Sequence, residues 1–225
     1  MRRMFGVSVC VVCAMVMLRA QVPDMPSTAG KRIVVWGGLG VAYVHPSDIL
    51  TLVNTTYGAI DRAPSFTSGA EFTGALSVPV LDRWSAKFEY TFLLISYTLS
   101  SSISASPAMY TVHGHLPMLV VQYTLVDNPF YCLKLGCGVG YYAGSVHTDF
   151  FTLNDTYSAN GISGKIELEG ITAVSENLFV LIGGELRWMA GGALVNASGT
   201  GPLTGEKITL SMFAPAARIG VAYLP

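Results

Sequence analysis

The sequence predicts an all-β fold, an eight-stranded antiparallel transmembrane β-barrel with short periplasmic turns and longer extracellular loops. Three observations predict it. Hydrophobic residues make up 51% of the 225 positions and charged residues only 12%, yet beyond the first twenty residues no apolar run is long enough to cross a bilayer as a helix. Eight segments alternate apolar and polar side chains with the period of an extended strand. The connections between them alternate between long and tight, as in outer-membrane barrels with both termini on the periplasmic side. Residues 178–190, LFVLIGGELRWMA, show the pattern well: Val180, Ile182, Leu186 and Trp188 fall on one face, and Gly183, Glu185 and Arg187 on the other.

Taken in order, Met1-Arg2-Arg3, the apolar stretch Met4–Leu18 and Arg19-Ala20 before Gln21 form a secretory signal peptide cleaved after Ala20. Residues 21–31 are then a periplasmic segment, and 32–225 the barrel. Strands are expected near 32–44, 69–80, 84–98, 109–125, 130–144, 161–174, 178–194 and 207–223. The first sets Tyr43 outward against Ala42 and Val44, and the second carries Glu71. The turn Asp82-Arg83 leads to the third, where Lys87, Glu89, Leu93 and Ile95 share the inner face while Phe88 and Tyr90 face out. The fourth brings His113, His115 and Pro117, read as inward. Beyond Asp127-Asn128-Pro129, the fifth turns Lys134 and Tyr142 inward and Tyr131 outward. The sixth carries Lys165, Glu167 and Glu169. After Ser175-Glu176-Asn177 the seventh carries Glu185, Arg187 and Met189, and the eighth sets Leu210, Met212 and Arg218 against Tyr223. The long connections, 45–68, 99–108, 145–160 and 195–206, are rich in Ser, Thr, Asn, Gly and Pro. An even strand count closes the sheet with no exposed edge.

Charge placement argues for the same fold. Every Asp falls in the N-terminal segment, a loop or a turn, whereas Arg32, Glu71, Lys87, Glu89, Lys134, Lys165, Glu167, Glu169, Glu185, Arg187 and Arg218 fall on the inferred inner face, with His113 and His115 beside them. A charge on the lipid face near the midplane costs about 2–4 kcal/mol, so these residues must point into the lumen. An eight-stranded barrel has room there only for side chains. The charges are therefore expected to pair as a plug, with Glu185 and Arg187 meeting Lys165, Glu167 or Lys87, and to do no chemistry. Outward positions supply interfacial aromatic belts: Tyr43, Phe88, Tyr90, Tyr131, Trp188 and Tyr223. Towards the extracellular end the inner face becomes apolar through Ala42, Val44, Leu93, Ile95, Tyr142, Met189, Leu210 and Met212. The expected lumen is thus a closed-bottomed apolar pocket over a charged lower half. Its lining candidates are Val44, Leu93, Ile95, His113, His115, Pro117, Tyr142, Trp188, Met189 and Met212, with Trp188 also a candidate to face lipid. A bulge near Ser96 or Pro117 would exchange the two faces.

With 13 basic and 14 acidic residues the chain has no field to attract nucleic acid. Cys10 and Cys13 leave with the signal peptide. Cys132 and Cys137 are five apart on one strand, roughly 16 Å along it and on opposite faces, so they cannot bridge. No CxxC or His/Cys cluster suggests a metal, and no cofactor is expected.

The string His115-Leu116-Pro117-Met118-Leu119-Val120-Val121-Gln122-Tyr123, followed by Asn128-Pro129-Phe130-Tyr131 and Leu135-Gly136-Cys137-Gly138-Val139-Gly140-Tyr141-Tyr142, resembles the OmpW family of small outer-membrane barrels. Fainter echoes lie at Gly38–Pro46 and Ser175–Trp188. The resemblance implies a monomeric barrel of the bacterial outer membrane that passes or binds small hydrophobic molecules through an apolar funnel. Pro117, which removes a ladder hydrogen bond, marks a place where such a solute could leave sideways into lipid. The closing residues Arg218-Ile219-Gly220-Val221-Ala222-Tyr223-Leu224-Pro225 resemble the strand signal read by the barrel-assembly machinery, with Pro225 in place of the terminal aromatic and ending the ladder.

Three other functions compete. A surface anchor, adhesin or antigen would work through its loops, and loop 45–68 carries Leu50, Leu52, Val53, Tyr57, Ile60 and Phe66. An enzyme acting on outer-leaflet lipid would draw on His45-Pro46-Ser47-Asp48 or on Ser145, His147 and Asp149, although neither cluster matches a catalytic motif. A conducting porin would need more width than eight strands leave.

Overall fold

Lipid offers a peptide group no hydrogen-bond partner, so a strand in the bilayer must pair on both edges. A computed structural model of the chain, which describes residues 33–45, 48, 67–99, 108–128, 131–150, 153–175, 177–202 and 207–224, meets this requirement with a closed antiparallel barrel. Within those residues the strands are β1 (Val34–Val44), β2 (Thr67–Leu81), β3 (Trp84–Leu99), β4 (Ala108–Asp127), β5 (Tyr131–Phe150), β6 (Leu153–Ala173), β7 (Leu178–Gly191) and β8 (Met212–Tyr223). Each pairs with its sequence neighbour, and β1 closes on β8 from Val35↔Tyr223 to Ala42↔Ala216. The signal peptide, Arg32, most of loop 45–68, the connection around 100–107 and Pro225 lie outside the described residues.

The largest differences from the sequence reading lie in the β5–β6 connection and ahead of the last strand. Residues 145–160, expected as a loop, largely continue β5 and β6 as a hairpin paired from Tyr131↔Thr172 to Phe150↔Leu153. Asp149 and Asp155 therefore lie on strands, with hairpin pairing overriding their turn propensity. The last strand begins at Met212, and the segment from 207 onwards is held by the bridge Ala193↔Thr209, by backbone bonds to Gly192 and Leu194, and by Asp48. The register of β3 with β4 runs unbroken through Ser96 and Pro117, so no bulge exchanges faces there. The irregularities fall at Pro79/Leu81 and Thr124/Val126 instead.

The outer face is apolar, with Leu39, Phe72, Leu119, Val139, Ile162 and Ile219 among its exposed residues. Aromatic or bulky residues recur ten positions apart on four strands: Tyr123 and His113, Tyr131 and Tyr141, Leu178 and Trp188, Tyr223 and Phe213. Ten residues of a strand tilted by roughly 40° rise about 25 Å, the height of a lipid-facing band between its two girdles. His113 and His115 thereby sit at or just below the upper interface.

The interior is built in three layers. An upper apolar cluster includes Ala42, Val44, Leu93, Ile95, Tyr110, Val112, Met118, Tyr142, Met189, Leu210 and Met212. Beneath it lies the charged layer. A second apolar cluster of Val34, Trp36, Ala75, Cys132, Ile171, Leu181, Ala222 and Leu224 closes the periplasmic end. The expected charged floor is thus a middle layer, with Leu181 below Glu185 on β7 and Ala222 below Arg218 on β8.

Close approach of strands makes some glycines irreplaceable and others free. A Cβ on Gly161 would collide with the carbonyl oxygen of Ala190, whereas one on Gly74 would meet nothing within 4 Å. We therefore expect Gly161→Ala to destabilise the barrel by about 1–3 kcal/mol and Gly74→Ala to be neutral. Heat-modifiable gel mobility of the two variants checks this, and equal melting would refute it.

Candidate functional site

The charged layer is held together by four cations reaching across the lumen. Glu71, Lys87, Glu89, Lys134, Lys165, Glu167, Glu169, Glu185, Arg187 and Arg218 are all 5% exposed or less. Arg218 on β8 is the hub: Nη1 donates to Glu89 and Glu185 at 3.0 Å each, and Nη2 to Glu167 at 2.7 Å and to Glu169. Lys87 Nζ meets Glu167 at 2.5 Å, Glu169 at 2.6 Å and Glu89 at 2.9 Å. Lys165 Nζ meets Glu167 at 2.7 Å, Glu185 at 3.2 Å and also Glu89. Arg187 ties Glu71, at 2.6 Å, to Glu185. Taking each charge out of water costs several kcal/mol, and such dense mutual pairing is what offsets it. Lys134 is as buried, opposite Glu169 on β6, but makes no ion pair among the described residues.

Neutral side chains complete the layer, and the sequence reading missed them. Gln122 on β4 donates to Glu167 at 2.8 Å and Glu169 at 2.5 Å, while its Oε1 accepts from Ser85 at 3.3 Å and Ser77 at 3.4 Å. Its even-numbered place on β4 was the signal. The ring of Trp36 carries the Arg218 guanidinium at 4.8 Å and Lys87 Nζ at 5.6 Å, a cation–π floor. Carboxylate oxygens of Glu89, Glu167 and Glu185 converge within 4.8 Å. Lys165 and Arg218 each reach all three, so the positive charge at that point belongs to the chain itself.

Above this layer the lumen is apolar and rich in methionine. Val44, Leu93, Ile95, Tyr142, Met189 and Met212 lie there, as read from the sequence, together with Tyr110, Val112, Leu116 and Met118, which were not singled out. His113, His115, Pro117 and Trp188 do not. On β4 the even-numbered residues point inward, so both histidines and Pro117 face outward, and Trp188 is 45% exposed. The expectation that histidine must avoid lipid failed because these two sit at the interface, where amphipathic rings are tolerated. His115 Nδ1 lies 2.6 Å from Tyr90 Oη, and both histidines pack against Phe92 at ring separations of 5.2 and 5.9 Å.

The wall has one interruption beside these residues. The β4–β5 ladder lapses between His115↔Ala143 and Met118↔Gly140 and resumes in the same register, leaving Leu116 and Pro117 unpaired with Tyr142 and Tyr141. Pro117 has no amide hydrogen to donate. The residues weighed for catalysis do not converge in the way a triad requires. Ser145, His147 and Asp149 alternate along one face of β5, with His147 Nδ1 bonded to Thr156 Oγ1 at 2.9 Å. Asp48 is bonded to Thr209, and Pro46 and Ser47 lie outside the described residues.

A closed eight-stranded antiparallel sheet with a lipid-facing apolar belt and its charges inside is a small barrel of the bacterial outer-membrane class. Solved structures of that class superpose on it. OprG from Pseudomonas aeruginosa is 11% identical, with 91% of this chain and 99% of that one covered at a TM-score of 0.53. The attachment invasion locus protein Ail of Yersinia pestis is 10% identical, covering 87% and 99% at 0.52. A major outer membrane protein from Thermus thermophilus is 13% identical, covering 85% and 99% at 0.52. At such identities the likeness is one of fold. No sequence family and no curated protein matches the chain.

The network makes its members unequal. Arg218→Met takes a shared cation from four carboxylates and should cost about 3–5 kcal/mol, whereas Lys134→Met, which breaks no ion pair among the described residues, should cost far less. Urea unfolding in detergent micelles, followed by tryptophan fluorescence, separates the two. Equal losses would show that the pairing does not stabilise the barrel.

Proposed function

We propose that the barrel is OmpW-like and binds small hydrophobic molecules in its upper lumen, releasing them sideways into lipid through the β4–β5 wall. The observation that carries this reading is the lapse of the ladder at Leu116 and Pro117, where Leu116 belongs to the apolar layer. A straight path is unfavourable for an apolar solute, because parting the ion pairs below would leave buried charges uncompensated. Met118, Met189 and Met212 belong to the upper apolar cluster, and their unbranched side chains can repack around guests of different shape. The stretch His115–Tyr123, where the resemblance to OmpW is sharpest, contains the proline at the lapse.

Two measurements test the reading. Native mass spectrometry of the refolded protein in a short-tailed detergent should show saturable retention of an apolar solute, lost on Leu93→Glu. In cells, Pro117→Ala should slow uptake of an apolar fluorescent solute without changing barrel folding. Unchanged uptake would remove the sideways exit. A second reading, binding of a partner at the cell surface, draws on the β5–β6 hairpin, whose exposed His147, Asp149 and Thr156 lie well above Tyr141. Cell adhesion that survives Leu93→Glu but is lost on deleting the hairpin tip would favour it.

A further inference from the structure

Burying a hydroxyl without a partner is costly, because the water it gives up is not replaced. Tyr142 presents that situation inside the upper apolar cluster. It is fully buried, and its Oη has no hydrogen-bond partner among the described residues. Two glycines make room for the ring. A Cβ on Gly114 would press the ring edge at 3.3 Å, and one on Gly144 would stand 2.5 Å from the hydroxyl oxygen and collide with Leu210 Cδ2. The hydroxyl is therefore lodged over Gly144 beside Leu210, within the apolar cluster, in a place that a phenylalanine would fill as well. Packing alone does not account for the oxygen.

Its position along the wall supplies the second clue. Tyr142 is one of the two β5 residues left unpaired where the β4–β5 ladder lapses, and it marks the inner side of that lapse. On the outer side, one strand over, Tyr90 pairs in register with Pro117, and its hydroxyl meets His115. Tyr142 thus faces the lumen, and the Tyr90–His115 pair faces outward, beside the same two residues of β4. A pure hydrocarbon would use neither.

We propose that Tyr142 is a specificity residue, donating its O–H to an oxygen of the solute, so that the preferred guests are apolar molecules bearing a single carbonyl or hydroxyl oxygen rather than hydrocarbons. The inference rests on the reading of the upper lumen as a solute site, and the test separates the two. n-Octane and 2-octanone have similar chains, but only the ketone can accept the bond. In native mass spectrometry with the full refolded chain, 2-octanone should be held about five-fold more tightly than n-octane, the worth of one net hydrogen bond. Tyr142→Phe, which deletes one oxygen, should abolish the difference between the two solutes. A second measurement needs no variant: the carbonyl stretch of bound 2-octanone should shift to lower frequency than in hexane. Equal retention of the two solutes with an unshifted stretch overturns the role of Tyr142 and leaves the apolar site standing. A preference that survives Tyr142→Phe also overturns it. Retention of neither solute overturns the site and the inference together.

Discussion

Everything in this molecule follows from the absence of water as a hydrogen-bond partner in the bilayer core. The backbone must satisfy itself by closing its ladder, and once it has closed, strand alternation divides the side chains between a lipid face and a lumen with no neutral ground between them. The lumen of eight strands is too narrow to hydrate ten charges. They are driven into one another, and Arg218, whose guanidinium fork can serve several carboxylates at once, becomes the centre of the layer. Closure, alternation and the ion-pair layer are one constraint expressed at three scales.

The same constraint explains how an apolar upper layer can coexist with a charged layer beneath it. Trp36, Leu181 and Ala222 hold the charged layer from below, and the methionine-rich cluster covers it from above. The layer is therefore screened from solvent on both sides, where its pairs are strongest.

Much of this was legible in the residues because period two is a strong signal when one face must be lipid-soluble. The charges on β3, β6, β7 and β8 were placed by parity alone, and so were Leu93, Ile95, Tyr142 and Met189. β4 was misread for a physical reason. His113 and His115 looked polar enough to demand the lumen, but at the girdle a ring with a polar edge is at home outside, where His115 finds Tyr90. The even-numbered Gln122, nearer the middle of the membrane and so the costlier group to leave in lipid, would have fixed the parity of that strand. The extension of β5 and β6 through 145–160 was hidden because Ser, Asn and Asp favour turns locally, and only the pairing of His147 with Thr156 across the hairpin reveals strands.

One consequence concerns the journey rather than the destination. Cys132 is buried in the lower cluster and Cys137 is exposed on the lipid side of the same strand, so the finished barrel keeps the two thiols apart for good. An unfolded chain in an oxidising compartment has no such protection. A bridge closed across five residues would bend the chain where β5 must run straight, so the wall at β5 is complete only with both thiols free.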